Sequence, residues 1–207
     1  PSEELELDSE LSEVLVPSAL PGGKETGDAL HLILEECLQQ PHLPWVAPGG
    51  EPPTTLRQSL YNHLEQNRVF RRLPSEDERG PAVEAGLLMV QRALNATMDL
   101  SPLGVGMLRL ADLPLGDRRT ELEFQLQVGK DWVRGFMDLV FRLPVPGAAH
   151  PWRYFVLDWK SNTLNQYSLE SISRSMVDSH YDLQARLYGH ALHKTLQGLL
   201  GANYEPS

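Results

Sequence analysis

Asp138, Asp158 and Lys160 are three charged side chains in stretches otherwise made for burial: Gly-Phe-Met-Asp-Leu-Val-Phe from Gly135 and Tyr-Phe-Val-Leu-Asp-Trp-Lys-Ser-Asn from Tyr154. Both stretches are rich in β-branched and aromatic residues and read as strands. Side chains two apart on a strand share a face, which groups Asp138 with Phe136 and Val140, and Asp158 and Lys160 with Val156. An unpaired charge on such a face costs on the order of several kcal/mol, so these groups need partners or a metal ion. An ion pair between Lys160 and one aspartate is the plainer solution. A second aspartate in compatible register points further, to two carboxylates holding a hard divalent cation beside one lysine. That set suits phosphodiester hydrolysis. Mg²⁺ prefers oxygen ligands, keeps several waters and binds substrate phosphate directly. It would polarise the phosphoryl oxygen and activate water, with Lys160 orienting that water or stabilising the developing charge.

The elements that must position these residues follow from periodicity. Pro144, Pro146, Gly147 and Pro151 interrupt 135–162 and predict a hairpin with a long loop. Its odd-numbered face, Met137, Leu139, Phe141, Phe155, Leu157 and Trp159, is uniformly apolar and should be buried. Residues 121–128 alternate as a further strand, pairing with the Gly135 strand across Gly129-Lys130-Asp131. Glu121 and Glu123 share its polar face; either could approach the metal, but a solvent face is expected.

A helix is predicted over 26–40, capped by Thr26, with Ala29, Leu30, Ile33, Leu34, Cys37 and Leu38 on its apolar side. His31 lies within it, and a lone helical histidine is ordinarily structural or superficial. Cys37 reads as a small buried residue rather than a thiol nucleophile. After a Pro-rich loop over 41–53, residues 55–67 (Leu56, Leu60, Leu64) and 81–100 (Val83, Leu87, Val90, Leu94) read as two more helices. Arg68, Arg71 and Arg72 between them are either a solvated connector or a DNA-backbone contact. A short helical piece over 168–176 precedes a long helix over 180–200. On the latter Tyr181, Gln184 and Tyr188 share a face, ordinary polar surface if taken alone. His190 and His193 have no cysteines near them and read as surface.

The 207 residues are 41% hydrophobic, enough for one domain with a substantial core. No apolar run is long enough to span a membrane, no signal peptide pattern opens the chain, and a single cysteine excludes an internal disulfide and fits a reducing compartment. The net charge of −10 argues against gripping DNA by bulk electrostatics, but Glu3, Glu4, Glu6, Asp8, Glu10 and Glu13 contribute six of those charges. Residues 1–22 therefore read as an acidic linker or tail, and 23–207 as the domain. The start at Pro1 suggests a piece of a longer protein. Repeats, zinc-type Cys/His spacing and a Gly-rich phosphate loop are absent from the sequence, so any ATP-driven activity would lie elsewhere.

Asp138…Asp158-Trp159-Lys160 resembles the Asp…(Asp/Glu)-x-Lys signature of the PD-(D/E)xK nuclease superfamily. The strings Gly-Phe-Met-Asp-Leu-Val-Phe, Leu-Asp-Trp-Lys-Ser-Asn and Tyr-Asp-Leu-Gln-Ala-Arg-Leu-Tyr resemble more narrowly the C-terminal nuclease domain of RecB, a subunit of the RecBCD helicase-nuclease or exodeoxyribonuclease V. The likeness covers about 27–196. It departs at Trp159, where the family usually has Tyr. It implies an α/β fold with a mixed central sheet flanked by helices, of restriction-endonuclease type, and a Mg²⁺-dependent deoxyribonuclease. By the same resemblance, His31 in Gly-Asp-Ala-Leu-His supplies a nitrogen ligand beside Asp138, Asp158 and the Trp159 carbonyl. Mn²⁺ or Ca²⁺ can substitute in such a site. Gln184 and Tyr188 match a Gln-x-x-x-Tyr motif beside the active site, placed to hold a catalytic carboxylate or to contact the scissile strand, with Tyr188 stacking on a base. Single- and double-stranded DNA, RecC-like and RecD-like subunits, the RecA recombinase, recombinational repair and a cytoplasmic location are further implications. Family domains continue past the last helix with strand material that is not visible after Asn203, Tyr204 and Glu205. An inactive module that binds DNA or protein is the alternative, against which the complete Asp…Asp-x-Lys set argues.

Overall fold

The computed structural model describes residues 19–47, 49–145, 147, 151–164, 166–201 and 204. The acidic segment 1–18, Pro146 of the predicted break, and Asn203 and Glu205 lie outside them. Residues 19–22, read with the tail, belong to the packed body, since Leu20 is buried in the core.

Helix α1 (Lys24–Leu38) is capped by Gly23, three residues ahead of the expected cap. Thr26 is not its cap; it is buried in the first turn and its hydroxyl donates to the Pro21 carbonyl at 2.5 Å. Helix α2 (Thr54–Gln66) matches its predicted stripe, with Leu60 and Leu64 fully buried. Helix α3 (Glu76–Asn95) begins earlier and ends earlier than the pattern predicts. Ser75 and Glu78 form a capping box that outweighs Pro81 as a start signal. At the other end, Ala96 leaves helical geometry (ψ 132°) and the chain extends into strand β1 (Thr97–Asp99), paired with β2 (Met107–Arg109). Arg72 donates to the Gly22 carbonyl at 2.5 Å and to Thr26 at 3.3 Å, tying the connector to the start of α1.

The main sheet is β3 (Arg118–Val128), β4 (Asp131–Pro144) and β5 (Trp152–Leu157), in that spatial order and antiparallel throughout. As predicted, Val128 pairs with Asp131 across Gly129 and Lys130, and Gly129 supplies the positive φ (65°) that so tight a hairpin requires. Helices cover both faces, so the α/β class is as expected. Leu139, Phe141, Phe155, Leu157 and Trp159 pack against α1 to α3, as the odd-numbered pattern demanded. Val140, Tyr154 and Val156 face the final helix α5 (Tyr181–Leu200), which follows the short α4 (Leu169–Asp178).

Met137 breaks the alternation, packing with Phe124, Leu126 and α5 instead of with Leu139. The cause lies on the neighbouring strand. Pairing runs from Thr120↔Leu139 to Leu122↔Met137 and skips Glu121, whose φ is 48°. Phe136, expected to be buried, is 44% exposed under the Arg134 guanidinium. Among the described residues, no helix is long and apolar enough to cross a membrane.

Candidate active site

Asp138 lies mid-strand in β4, opposite the skipped Glu121. Asp158, Trp159 and Lys160 lie just past the end of β5, not within it. Leaving the ladder frees the Trp159 N–H, which donates to Asp138 Oδ2 at 2.7 Å and so stitches the two acidic segments together. Trp159 packs its ring on the helical core, as its odd-numbered position predicted. The Lys160 ammonium ion-pairs with Asp158 Oδ2 and donates to Gln184 Oε1 at 2.7 Å. Asp138, Asp158 and Lys160 therefore converge.

His31 reaches the same place from α1, its Nδ1 standing 3.5 Å from Asp138 Oδ2. Gly27, one turn earlier, makes this approach possible. A Cβ added there would collide with the Ser161 side chain, 3.2 Å from its Cβ and closer still to its hydroxyl. Only glycine lets α1 lie this close to the segment that carries Lys160.

Gln184 and Tyr188 come from α5. Gln184 Nε2 donates to Asp158 Oδ1 at 3.2 Å and to the Tyr188 hydroxyl at 2.8 Å. Gln184 therefore holds the carboxylate, one of the two roles open to it. The Tyr188 ring packs edge-on to Phe124 at 5.6 Å, and burial pushes its hydroxyl pKa above the ordinary tyrosine value.

Burial likewise raises the Asp138 carboxyl above its usual range, the Asp158 charge adding to the effect while the Trp159 N–H, His31 and Lys160 oppose it. Glu121 is exposed, as expected, although it stands at the rim of this group. Partial burial raises its carboxyl, with Asp138 and Glu35 adding and His31 opposing. Its left-handed backbone turns it there, and periodicity carries no sign of that. Glu123 pairs instead with Arg134 at 2.7 Å. Cys37 is buried, with a thiol pKa pushed up to about 12, and offers no nucleophile. His190 is exposed, and His193 meets the Tyr204 hydroxyl at 2.9 Å, far from the acidic group in role.

Among the described residues, no three His, Cys, Asp or Glu side chains lie close enough to hold a metal ion as they stand. The donor set nevertheless fits a hard cation. Asp158 Oδ2 is buried against the Lys160 ammonium, which is the charge that balances it with no metal bound. Two carboxylates with an imidazole nitrogen 3.5 Å from one of them are the donor types of a divalent-ion ligand set.

Comparison with known proteins agrees with this geometry. RecBCD enzyme subunit RecB of Haemophilus influenzae is 30% identical over 198 residues, 87% of this chain and 15% of that protein. The Escherichia coli subunit of the same name is 31% identical over 200 residues, 88% of this chain and 16% of its own length. That of Mycobacterium tuberculosis is 27% identical over 223 residues, 87% and 19%. The chain thus spans less than a fifth of the length of these relatives. No solved structure matches it. The profile of the PD-(D/E)XK nuclease superfamily matches residues 6–204, and with nearly the whole length covered, the chain belongs to that superfamily.

Proposed function

We propose that the chain is a metal-dependent deoxyribonuclease domain that hydrolyses phosphodiester bonds of single- and double-stranded DNA. The observation that carries this reading is the meeting of Asp138, Asp158 and Lys160 at one point, with the Trp159 N–H on Asp138 Oδ2 and the Lys160 ammonium on Asp158 Oδ2. Asp138 and Asp158 would hold Mg²⁺, for which Mn²⁺ or Ca²⁺ can substitute, with His31 as a nitrogen ligand. The Trp159 carbonyl is the fourth ligand on the strength of the family resemblance. A bound divalent ion supplies Lewis acidity at the phosphate and a more acidic water.

The chain's own residues do the rest. The Trp159 N–H holds Asp138 Oδ2, Gln184 holds Asp158 Oδ1, and Asp158 Oδ2, paired here with the Lys160 ammonium, would turn to the ion. Tyr188 braces Gln184 from its other side. The Lys160 ammonium, aimed by Gln184 Oε1, places positive charge where the phosphate gains negative charge in the transition state. The relatives' name, subunit RecB of the RecBCD enzyme, supports extending the reading. The domain would act in a cytoplasmic helicase-nuclease with RecC-like and RecD-like subunits, process double-strand breaks for recombination, and deliver RecA to the single strand.

The ion pair between Lys160 and Asp158 favours a second reading, in which this charge set is structural and the domain only binds DNA or protein. One variant separates the two. If Lys160 is catalytic, Lys160→Ala keeps near-normal Mg²⁺ binding while cleavage of single-stranded DNA falls by roughly 100-fold or more. If Lys160 is only a charge partner, its loss removes on the order of 3 kcal/mol of stability. Melting temperature and cleavage rate on the same mutant decide. A destabilised variant that still cuts at the wild-type rate refutes the catalytic assignment.

A further inference from the structure

Beside Lys160 lies a cleft of about 140 Å³ that the residues above leave unused. Tyr167, Ile172, Met176 and Tyr181 form apolar walls, and Asn162 and Ser175 add polar atoms. Helix α4 is the reason it stays open. Leu169, Ile172, Met176 and Val177 are 82%, 39%, 39% and 65% exposed, and no residue of the helix is buried. An amphipathic helix ordinarily turns its apolar side into a core. Here Ile172 and Met176 face space that opens onto the reaction centre.

The opposite wall is fixed in place. The Tyr181 hydroxyl donates to Asn162 Oδ1 at 2.8 Å, and the Lys160 ammonium sits 4.1 Å from the centre of the Tyr181 ring. The Tyr167 hydroxyl donates to the Asn162 carbonyl at 3.4 Å. Lys160 is thus shared between the cleft and the carboxylate pair.

We propose that this cleft receives an unpaired nucleobase of the strand being cut, flanking the phosphate at Lys160. The inference rests on the nuclease reading, since Lys160 is the point at which that phosphate is met. Four observations select the occupant. The walls are apolar and aromatic, matching the faces of a base, for which aromatic side chains are the usual platform. Asn162 and Ser175 offer hydrogen bonds to its edge. The volume compares with the roughly 150 Å³ cavity that takes up a single benzene ring. The Lys160 ammonium at the mouth complements the phosphodiester that a base brings with it. A base inside a duplex has both faces covered, so the cleft selects strands whose bases are unstacked.

The test is binding, measured without divalent ions by fluorescence anisotropy. The probes are a short oligothymidylate and an abasic strand of equal length. The chain should bind the base-bearing strand roughly tenfold more tightly, the scale of one stacked base. Ser175→Leu, which fills the cleft from α4, should remove that margin and leave affinity for the abasic strand unchanged, while Tyr181→Phe, which keeps the ring, should retain it. Equal affinity for the two strands, or a margin that survives Ser175→Leu, overturns the proposal. Cleavage of the same oligothymidylate with Mg²⁺ is scored separately. A binding margin without cleavage sinks the nuclease reading and leaves the cleft standing; cleavage without a margin does the reverse.

Discussion

Asp138 accepts from one main-chain N–H and stands beside one imidazole, yet burial still raises its carboxyl above the ordinary value of 3.8. Folding therefore favours its protonated form. That contribution is fully present below the unfolded value and is lost as pH rises through the raised folded value, the reverse of a carboxylate held low by a salt bridge. At neutral pH and without metal, ionised Asp138 is a net cost. Asp138→Asn should accordingly raise stability in chelator by on the order of 1 kcal/mol, while Mg²⁺ should raise the melting temperature of the wild type and not of the variant. A variant less stable than wild type in chelator at neutral pH would contradict this. At this scale the sequence was informative where residues lie two apart on a strand, as with Asp158 and Lys160. It was silent on Glu121, because a left-handed backbone at a non-glycine residue leaves no trace in spacing. Periodicity reads Gln184 as ordinary polar surface; only the family resemblance places it beside a carboxylate, and the contact forms when a helix from 26 positions further along folds back.

Helix α1 carries His31, and what aims that helix is contact with distant segments. Arg118, at the start of β3, is buried, and its guanidinium donates to the carbonyls of Leu38 at 2.7 Å, Leu113 at 2.5 Å and Gln40 at 2.5 Å. Leu38 and Gln40 belong to the C-terminal end of α1, whose carbonyls have no partner within the helix and whose dipole welcomes a cation. Burial pulls the Arg118 pKa below the ordinary arginine value, which shows that desolvation works against it. Three carbonyls would be orphaned by its removal, so Arg118→Ala should cost about 3–5 kcal/mol, measured by denaturant unfolding. Loss of less than about 1 kcal/mol would mean water replaces the guanidinium without penalty. The long helices and the three strands of the main sheet were legible from periodicity, but β1 and β2 were not, and β1 was read as the end of a helix. Boundaries failed where two local signals competed, as when Pro81 was read as the start of α3 although Ser75 and Glu78 cap it further back. The glycine at 27 and the arginine at 118 could not be read as positioning residues, because their meaning lies in what the folded chain brings against them.

Helices α1 to α3 cover one face of the sheet and α5 the other, so the site residues sit where two separate hydrophobic clusters meet. Ala191, Leu192 and Leu196 are the buried residues that α5 contributes to the second cluster. A chain ended after Asp178 should expose Phe124, Leu126, Met137 and Val140. It should lose several kcal/mol, at roughly 1.5–3 kcal/mol for each large apolar side chain, and bind a hydrophobic dye. Dye binding and melting temperature equal to those of the whole chain would show that α5 is dispensable. The position of Gln184 on this last helix also bears on synthesis. A chain is made from its N-terminus, at about 5–20 residues per second. His31, Asp138, Asp158 and Lys160 all emerge before the amide that holds Asp158 Oδ1, 26 positions later. A nascent domain thus carries the charged groups proposed for its cutting centre while the carboxylate pair is still unbraced, and on that proposal the order of translation withholds a finished site until α5 is released.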